Sequence, residues 1–197
     1  IGKEWVHENF NDKMKFRLLG QEINPQTHSV CKSDMMITGE DPENIRLGSS
    51  LSEDRFQGER FDYMLSNPPY GVSWSSEKEF VKNEAENLDG RFTAGTPRSS
   101  DGQLLFLQHM ISKMEDKGSR IGIVMNGSPM FTGDAGSGES DIRKWIIEND
   151  WLECIVALPD QLFFNTGIST YLWILNNKKD RKSTRLNSSH VVISYAV

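Results

Sequence analysis

At 197 residues, with 37% hydrophobic side chains, ten Phe and five Trp, the chain is one domain or a large part of one and has the material for a packed core. That excludes a disordered chain; no apolar run approaches the roughly 20 residues of a membrane span, and the start lacks a signal-peptide pattern. A net charge of −6 runs against a stand-alone DNA binder, which carries a basic face, but leaves room for an enzyme that takes most phosphate contacts from another subunit.

In chain order, Ile1 to Asp12 has the loose apolar spacing of a helix end. Phe16 to Ile23 reads as a strand ending at Glu22. Pro25 to Met36 reads as a helix with Asn24 as its cap and Pro25 at the first position. Asn44 to Leu47 is a short strand, and Phe61 to Ser66 a buried one. Residues 71–98 are polar, rich in Glu, Ser and Gly, and read as a long functional or mobile loop. Ser99 to Lys117 is a helix with a stripe of Leu104, Leu105, Leu107, Gln108, Met110, Ile111 and Met114, closed by Gly118. Asp101 at its head reads as a cap.

Arg120 to Met125 is the next strand. Gly133 to Gly138 is a flexible loop whose glycine spacing fits no phosphate-binding pattern. Glu139 to Asn149 is a helix, and Trp151 to Leu158 and Thr170 to Leu175 are the last strands. The alternation of strands and helices argues for a doubly wound α/β sheet. Cys31 and Cys154 sit far apart in apolar segments and read as buried free thiols of a cytoplasmic protein, with no metal site.

The segment Phe61-Asp62-Tyr63-Met64-Leu65-Ser66-Asn67-Pro68-Pro69-Tyr70 organises the rest. Consecutive prolines lock φ, cannot donate to a ladder, and stop the strand. Asn67 is thereby held at its carboxyl end, the edge where open α/β sheets bind ligands. An amino group conjugated to a ring is a poor nucleophile because its lone pair is delocalised. The Asn67 carboxamide oxygen and the Pro68 carbonyl, its direction fixed by Pro69, can each accept one N–H of such a group and free the lone pair. Tyr70 offers a flat face for stacking. The plain alternative is a strand, a Pro-Pro turn and a surface tyrosine. Glu22, at the end of the first strand, is placed to hydrogen-bond ribose hydroxyls, the alternative being a solvated carboxylate.

Asn67-Pro68-Pro69-Tyr70 resembles the catalytic motif of amino-group methyltransferases that use S-adenosylmethionine. Gly20-Gln21-Glu22-Ile23-Asn24-Pro25, the stretch Asp101 to Met110, and Phe164-Asn165-Thr166-Gly167-Ile168 resemble the methylation (M) subunit of type I restriction–modification systems, over about residues 1 to 180. The resemblance implies a Rossmann-like class I methyltransferase fold, a mixed sheet with its final strand antiparallel. It implies catalysis by Asn67, Pro68, Pro69 and Tyr70 on a flipped-out adenine N6 of double-stranded DNA. It implies S-adenosylmethionine held through Glu22 and Ile23; Gly48-Ser49-Ser50-Leu51 stands in the place of the usual adenine-contacting acid, which makes Ser49 and Ser50 weak candidates for that contact. Phe163 and Phe164, from the connection that packs on the target base in related methylases, could equally be core. The implied partners are a specificity (S) subunit and a cleaving restriction (R) subunit.

Two departures accompany the resemblance. The first strand and its glycine loop, which normally precede Glu22 by about 20 residues or more, are expected to lie upstream of Ile1. Residues 181–197 leave the family pattern and resemble adapter read-through. Two other functions share parts of the pattern: a protein glutamine-N5 methyltransferase with the same tetrapeptide, and a non-catalytic binding or assembly module.

Overall fold

A computed structural model describes residues 16–163 and 167–179, together with residue 8. The helix expected over Ile1 to Asp12 (Glu8 apart), Phe164 with its two following residues, and the 181–197 tail lie outside the described residues. The chain divides after Arg55 into two units.

In the first unit, β1 (Gly20–Glu22) pairs in parallel with β2 (Ile45–Leu47), Glu22 opposite Leu47. Between them runs α1 (Pro25–Ile37). Its start follows from the sequence: the Asn24 side chain accepts hydrogen bonds from the Gln26 and Thr27 amides at 2.8 and 3.2 Å, and Pro25 takes the first turn. The first strand is shorter than the Phe16–Ile23 span expected of it, its ladder running from Gly20 to Glu22.

The second unit is built on a four-stranded sheet ordered β3-β4-β6-β5, where β3 is Tyr63–Ser66, β4 Arg120–Asn126, β5 Leu152–Ala157 and β6 Thr170–Asn176. β3 and β4 are parallel, and β6 runs antiparallel to both β4 and β5. The reversed final strand is the one the resemblance implied. The helices are α2 (Lys78–Glu86), α3 (Gln103–Ser112), α4 (Ser128–Phe131) and α5 (Gly138–Glu148).

β4 alternates in burial, so that Ile121, Ile123 and Met125 face the core. They pack with Leu104, Leu107, Met110 and Ile111 of α3, Ile142 and Ile146 of α5, and Trp173 and Leu175 of β6. Each such side chain contributes about 1.5–3 kcal/mol when fully buried.

Several expectations need correction. β3 is not buried throughout: Tyr63 is 78% and Leu65 88% exposed, because in the described sheet β3 is an edge strand covered on one face. Residues 71–98 are not an open loop. They contain α2 and bury Trp74, Val81 and Phe92, three apolar anchors spaced too widely for any periodicity to reveal them. α3 is shorter than read at both ends, and its chain turns at Lys113 into Met114, whose neighbour across an isolated bridge is Phe61. Gly118 (φ +130°) belongs to the turn before β4 rather than to a helix end. Cys31 and Cys154 are unpaired but only half-buried. Burial, and secondarily Glu153, push the Cys154 thiol up against the pull of Arg120, so it is not an activated thiolate.

Among the described residues no helix is long and apolar enough to cross a membrane, and no cluster of three or more His, Cys, Asp or Glu could hold a metal ion.

Candidate active site

The first candidate group sits at the carboxyl ends of β1 and β2. Glu22 is half-buried; its Oε1 accepts the Asn24 amide at 2.7 Å, and its backbone carbonyl accepts the Gly48 amide at 3.0 Å. The two parallel strands thus bring Glu22 and the Gly48-Ser49 turn to one edge. Ser49 is not an open hydroxyl in this arrangement: its Oγ accepts the Leu51 amide at 3.2 Å and its carbonyl the Glu53 amide at 2.9 Å. Gln21 clamps the same turn, its Nε2 donating to the Glu53 carbonyl at 2.7 Å and its Oε1 accepting the Arg55 amide at 3.1 Å. Ile23 is 64% exposed beside Glu22, an apolar surface available to a planar ligand.

The second group follows β3. Pro68 is buried, Asn67 and Pro69 are exposed, and Tyr70 is half-buried. The Tyr70 hydroxyl donates to Asn67 Oδ1 at 2.6 Å. The sequence placed the two side chains together without foreseeing this bond. Partial burial pushes the Tyr70 hydroxyl above its ordinary range, and the bond to Asn67 offsets part of that. The hydroxyl is therefore a neutral donor at working pH, and it orients the carboxamide. A carboxamide oxygen has two lone pairs, so Asn67 Oδ1 retains the capacity to accept an amine N–H.

Behind the tip, the chain is strapped to the head of α3. The Gly102 amide donates to the Val72 carbonyl at 3.3 Å, and the Trp74 amide to the Ser99 carbonyl at 3.1 Å. The buried Trp74 indole donates to the Arg98 carbonyl at 2.9 Å. Gly102 packs directly against this indole: a Cβ there would lie in van der Waals contact, 3.4–3.7 Å from Trp74 side-chain atoms. Sequence reading missed Trp74; a lone Trp in a polar stretch was the available signal.

Asp101 is buried and does more than cap. Its Oδ1 accepts the Gln103 amide at 3.2 Å, and both its oxygens accept the Gln103 side chain, at 2.9 and 3.0 Å. Phe163 is half-buried in the connection between β5 and β6, so it is not a plain core residue. The Gly133–Gly138 segment leads into α5 through Ser137, whose Oγ accepts the Ser140 amide at 3.3 Å. It is held at its start by Arg143, which donates to the Gly133 carbonyl at 3.3 Å as well as to the Pro129 and Thr132 carbonyls at 3.0 and 2.7 Å.

The chain is similar to the type I restriction enzyme HindI methylase subunit of Haemophilus influenzae, at 34% identity over 84% of this chain and 35% of that protein. The crystal structure of a type I restriction–modification system methyltransferase subunit from Streptococcus thermophilus matches with a TM-score of 0.68 at 30% identity, over 80% of this chain and 33% of that one. A class I S-adenosylmethionine-dependent methyltransferase structure from Listeria monocytogenes matches with a TM-score of 0.67 at 14% identity, over 96% of this chain and 52% of that one, and shows the fold alone. The fold is that of class I S-adenosylmethionine-dependent methyltransferases, and the mixed sheet with its reversed last strand agrees with it. The chain spans about a third of the length of the curated relatives it matches. The family model described as N-6 DNA Methylase matches residues 2–193, and the chain belongs to that family.

Proposed function

We propose that this chain carries the catalytic segment of a DNA adenine-N6 methyltransferase, the methylation subunit of a type I restriction–modification system. The observation that supports it best is the tip of β3, where a Pro-Pro pair holds an exposed Asn67 whose Oδ1 is oriented by the Tyr70 hydroxyl. The family match and the type I methylase relatives favour adenine in DNA over a glutamine side chain as the substrate.

Glu22 fits the cofactor role. It is a half-exposed carboxylate at the end of a parallel strand, with one oxygen committed to Asn24 and the other without a described hydrogen bond. It would accept from the ribose hydroxyls, with Ile23 against the planar base. Ser49 would contribute through its backbone more than through its hydroxyl, which the Leu51 amide engages. S-adenosylmethionine supplies an electrophilic methyl group.

The target adenine leaves the duplex stack to reach the site. Asn67 Oδ1 and the Pro68 carbonyl accept the two N6–H bonds, which localises the nitrogen lone pair for attack. Tyr70 stacks on the base, with Phe163 and Phe164 as further aromatic contacts, and the surplus proton leaves to solvent. Sequence choice comes from an S subunit, and an R subunit joins for cleavage. A DNA substrate and the unpaired Cys31 and Cys154 fit a cytoplasmic protein.

The test is Asn67→Ala in a protein of the relatives' length. Methyl transfer to adenine is expected to fall roughly a hundredfold or more, the usual loss for one group that acts mainly in the transition state. Cofactor affinity stays unchanged. Transfer near the wild-type rate would remove Asn67 from the chemistry.

A further inference from the structure

Gln103 is fully buried at the first position of an apolar helix, a place where a leucine would pack without any need for partners. Its side chain instead satisfies every polar atom. Nε2 donates to Asp101 Oδ1 and Oδ2 at 2.9 and 3.0 Å and to Asn126 Oδ1 at 2.9 Å, while Oε1 accepts the Asn126 amide at 3.0 Å. Asn126 Oδ1 also accepts the Ser128 amide at 2.9 Å, which turns the chain into α4. A buried, fully satisfied amide network of this kind rigidifies the elements it joins.

What it joins is specific. Asn126 is the last residue of β4 and pairs with Thr170, the first of β6. β3 ends beside the same strand, Ser66 opposite Ile123, so Asn67 leaves the sheet along β4. At the other end of the network, the head of α3 holds Val72 and Trp74 through Gly102, Ser99 and Arg98. Val72 lies two residues after Tyr70.

We propose that Gln103 is a positioning residue for the amine-accepting tip: its amide locks the end of β4 to the head of α3, and through the Val72–Trp74 strap fixes the direction in which Asn67 and Tyr70 leave β3. The proposal rests on the methyl-transfer reading above for its effect on rate, and on the hydrogen bonds alone for its effect on the strap.

Two variants test it in a protein of the relatives' length, Gln103→Leu and the nearly isosteric Gln103→Glu. An ionised carboxylate at that position faces Asp101 from the head of α3. Nearby, α5 contributes Glu139, whose Oε1 accepts the Arg98 amide at 2.9 Å, and the Arg98 guanidinium donates to Ser128 Oγ at 3.0 Å. When protonated, the introduced carboxyl can donate to Asp101 and accept the Asn126 amide, which restores those two links of the network but not the donation to Asn126 Oδ1. Burial beside a carboxylate raises its pKa towards neutrality.

At about pH 8 both variants are expected to transfer methyl roughly 10- to 100-fold more slowly than wild type, the cost of a displaced reacting group. Cofactor affinity is unchanged. Towards about pH 6 the Gln103→Glu rate, as a ratio to wild type, recovers roughly tenfold as the carboxyl protonates, while Gln103→Leu stays low. Hydrogen exchange, which needs no activity, is expected to speed up at the Gly102 and Trp74 amides in Gln103→Leu.

A flat pH ratio, wild-type rates in both variants, or unchanged protection of those amides would each overturn the proposal. If the wild-type protein itself leaves adenine unmethylated, the functional reading fails separately, and amide exchange alone decides whether Gln103 holds the strap.

Discussion

Two strand ends carry the groups assigned to chemistry, and they are held by different means. At the end of β1 and β2, each three residues long, the turn is tied by exposed bonds between side chains and backbone: Gln21 to Glu53 and Arg55, and Glu22 to Asn24. At the end of β3, two prolines remove backbone freedom, Tyr70 holds Asn67, and the strap behind them is anchored on the buried Trp74 and Gln103. Exposed hydrogen bonds contribute little individually and yield to a ligand that replaces them. The Tyr70–Asn67 bond is itself exposed, but it stands on a buried anchor, and groups held in place this way already point at the developing charge, which is what transition-state stabilisation needs. Under the proposed function, the first end grasps the cofactor and the second acts on the base.

That contrast is broken if both ends respond to the same substitutions. Glu22→Ala is expected to weaken S-adenosylmethionine binding by about 1.5–3 kcal/mol, roughly 10- to 150-fold in Kd, the value of a hydrogen bond to a charged group. Calorimetry measures it. The rate at saturating cofactor should stay close to wild type, and a matching loss in that rate would mean that Glu22 works on the reacting atoms.

Tyr70 sharpens the other side. Tyr70→Ala is expected to lose base binding worth about 1–3 kcal/mol, while Tyr70→Phe keeps the stacking face. A fluorescent adenine analogue at the target position reads both, and equal signals from the two variants would count against stacking. The Phe variant also frees Asn67 Oδ1 from its bond, so any rate loss beyond stacking measures what that orientation contributes.

A smaller signature concerns pH. Because the folded pKa of Tyr70 is raised above its ordinary 10.0, its contribution to stability is complete below that value and is lost as pH rises through the folded pKa. Tyr70→Phe is expected to flatten that part of the alkaline denaturation curve relative to wild type.

Much of the architecture was legible because local signals agreed with tertiary demands. Asn24-Pro25 marks the start of α1, and Arg120 to Met125 alternates as a strand packed on one face should. The Asn67-Pro68-Pro69-Tyr70 tip was legible because proline chemistry is local. α2 was not, since its composition is charged and Val81 is its only buried residue. The exposure of Tyr63 and Leu65 was hidden because apolar residues on an edge strand look the same as buried ones until the neighbouring elements are placed. The Gln103 network was hidden for the opposite reason. A glutamine in an apolar helix is unremarkable in one dimension, and its partners Asp101 and Asn126 come from separate elements.

The central claim is that the β3 tip accepts the amino group of adenine. It is tested most directly by finding where the methyl group goes. DNA is treated with labelled S-adenosylmethionine and the protein at the length of its relatives, together with the proposed S subunit, then digested to nucleosides and resolved by mass spectrometry. The expected product is N6-methyladenine, formed roughly a hundredfold or more slowly when Asn67 is replaced by Ala. Label on cytosine, on a protein glutamine, or on adenine at equal yield with the Ala variant would contradict it.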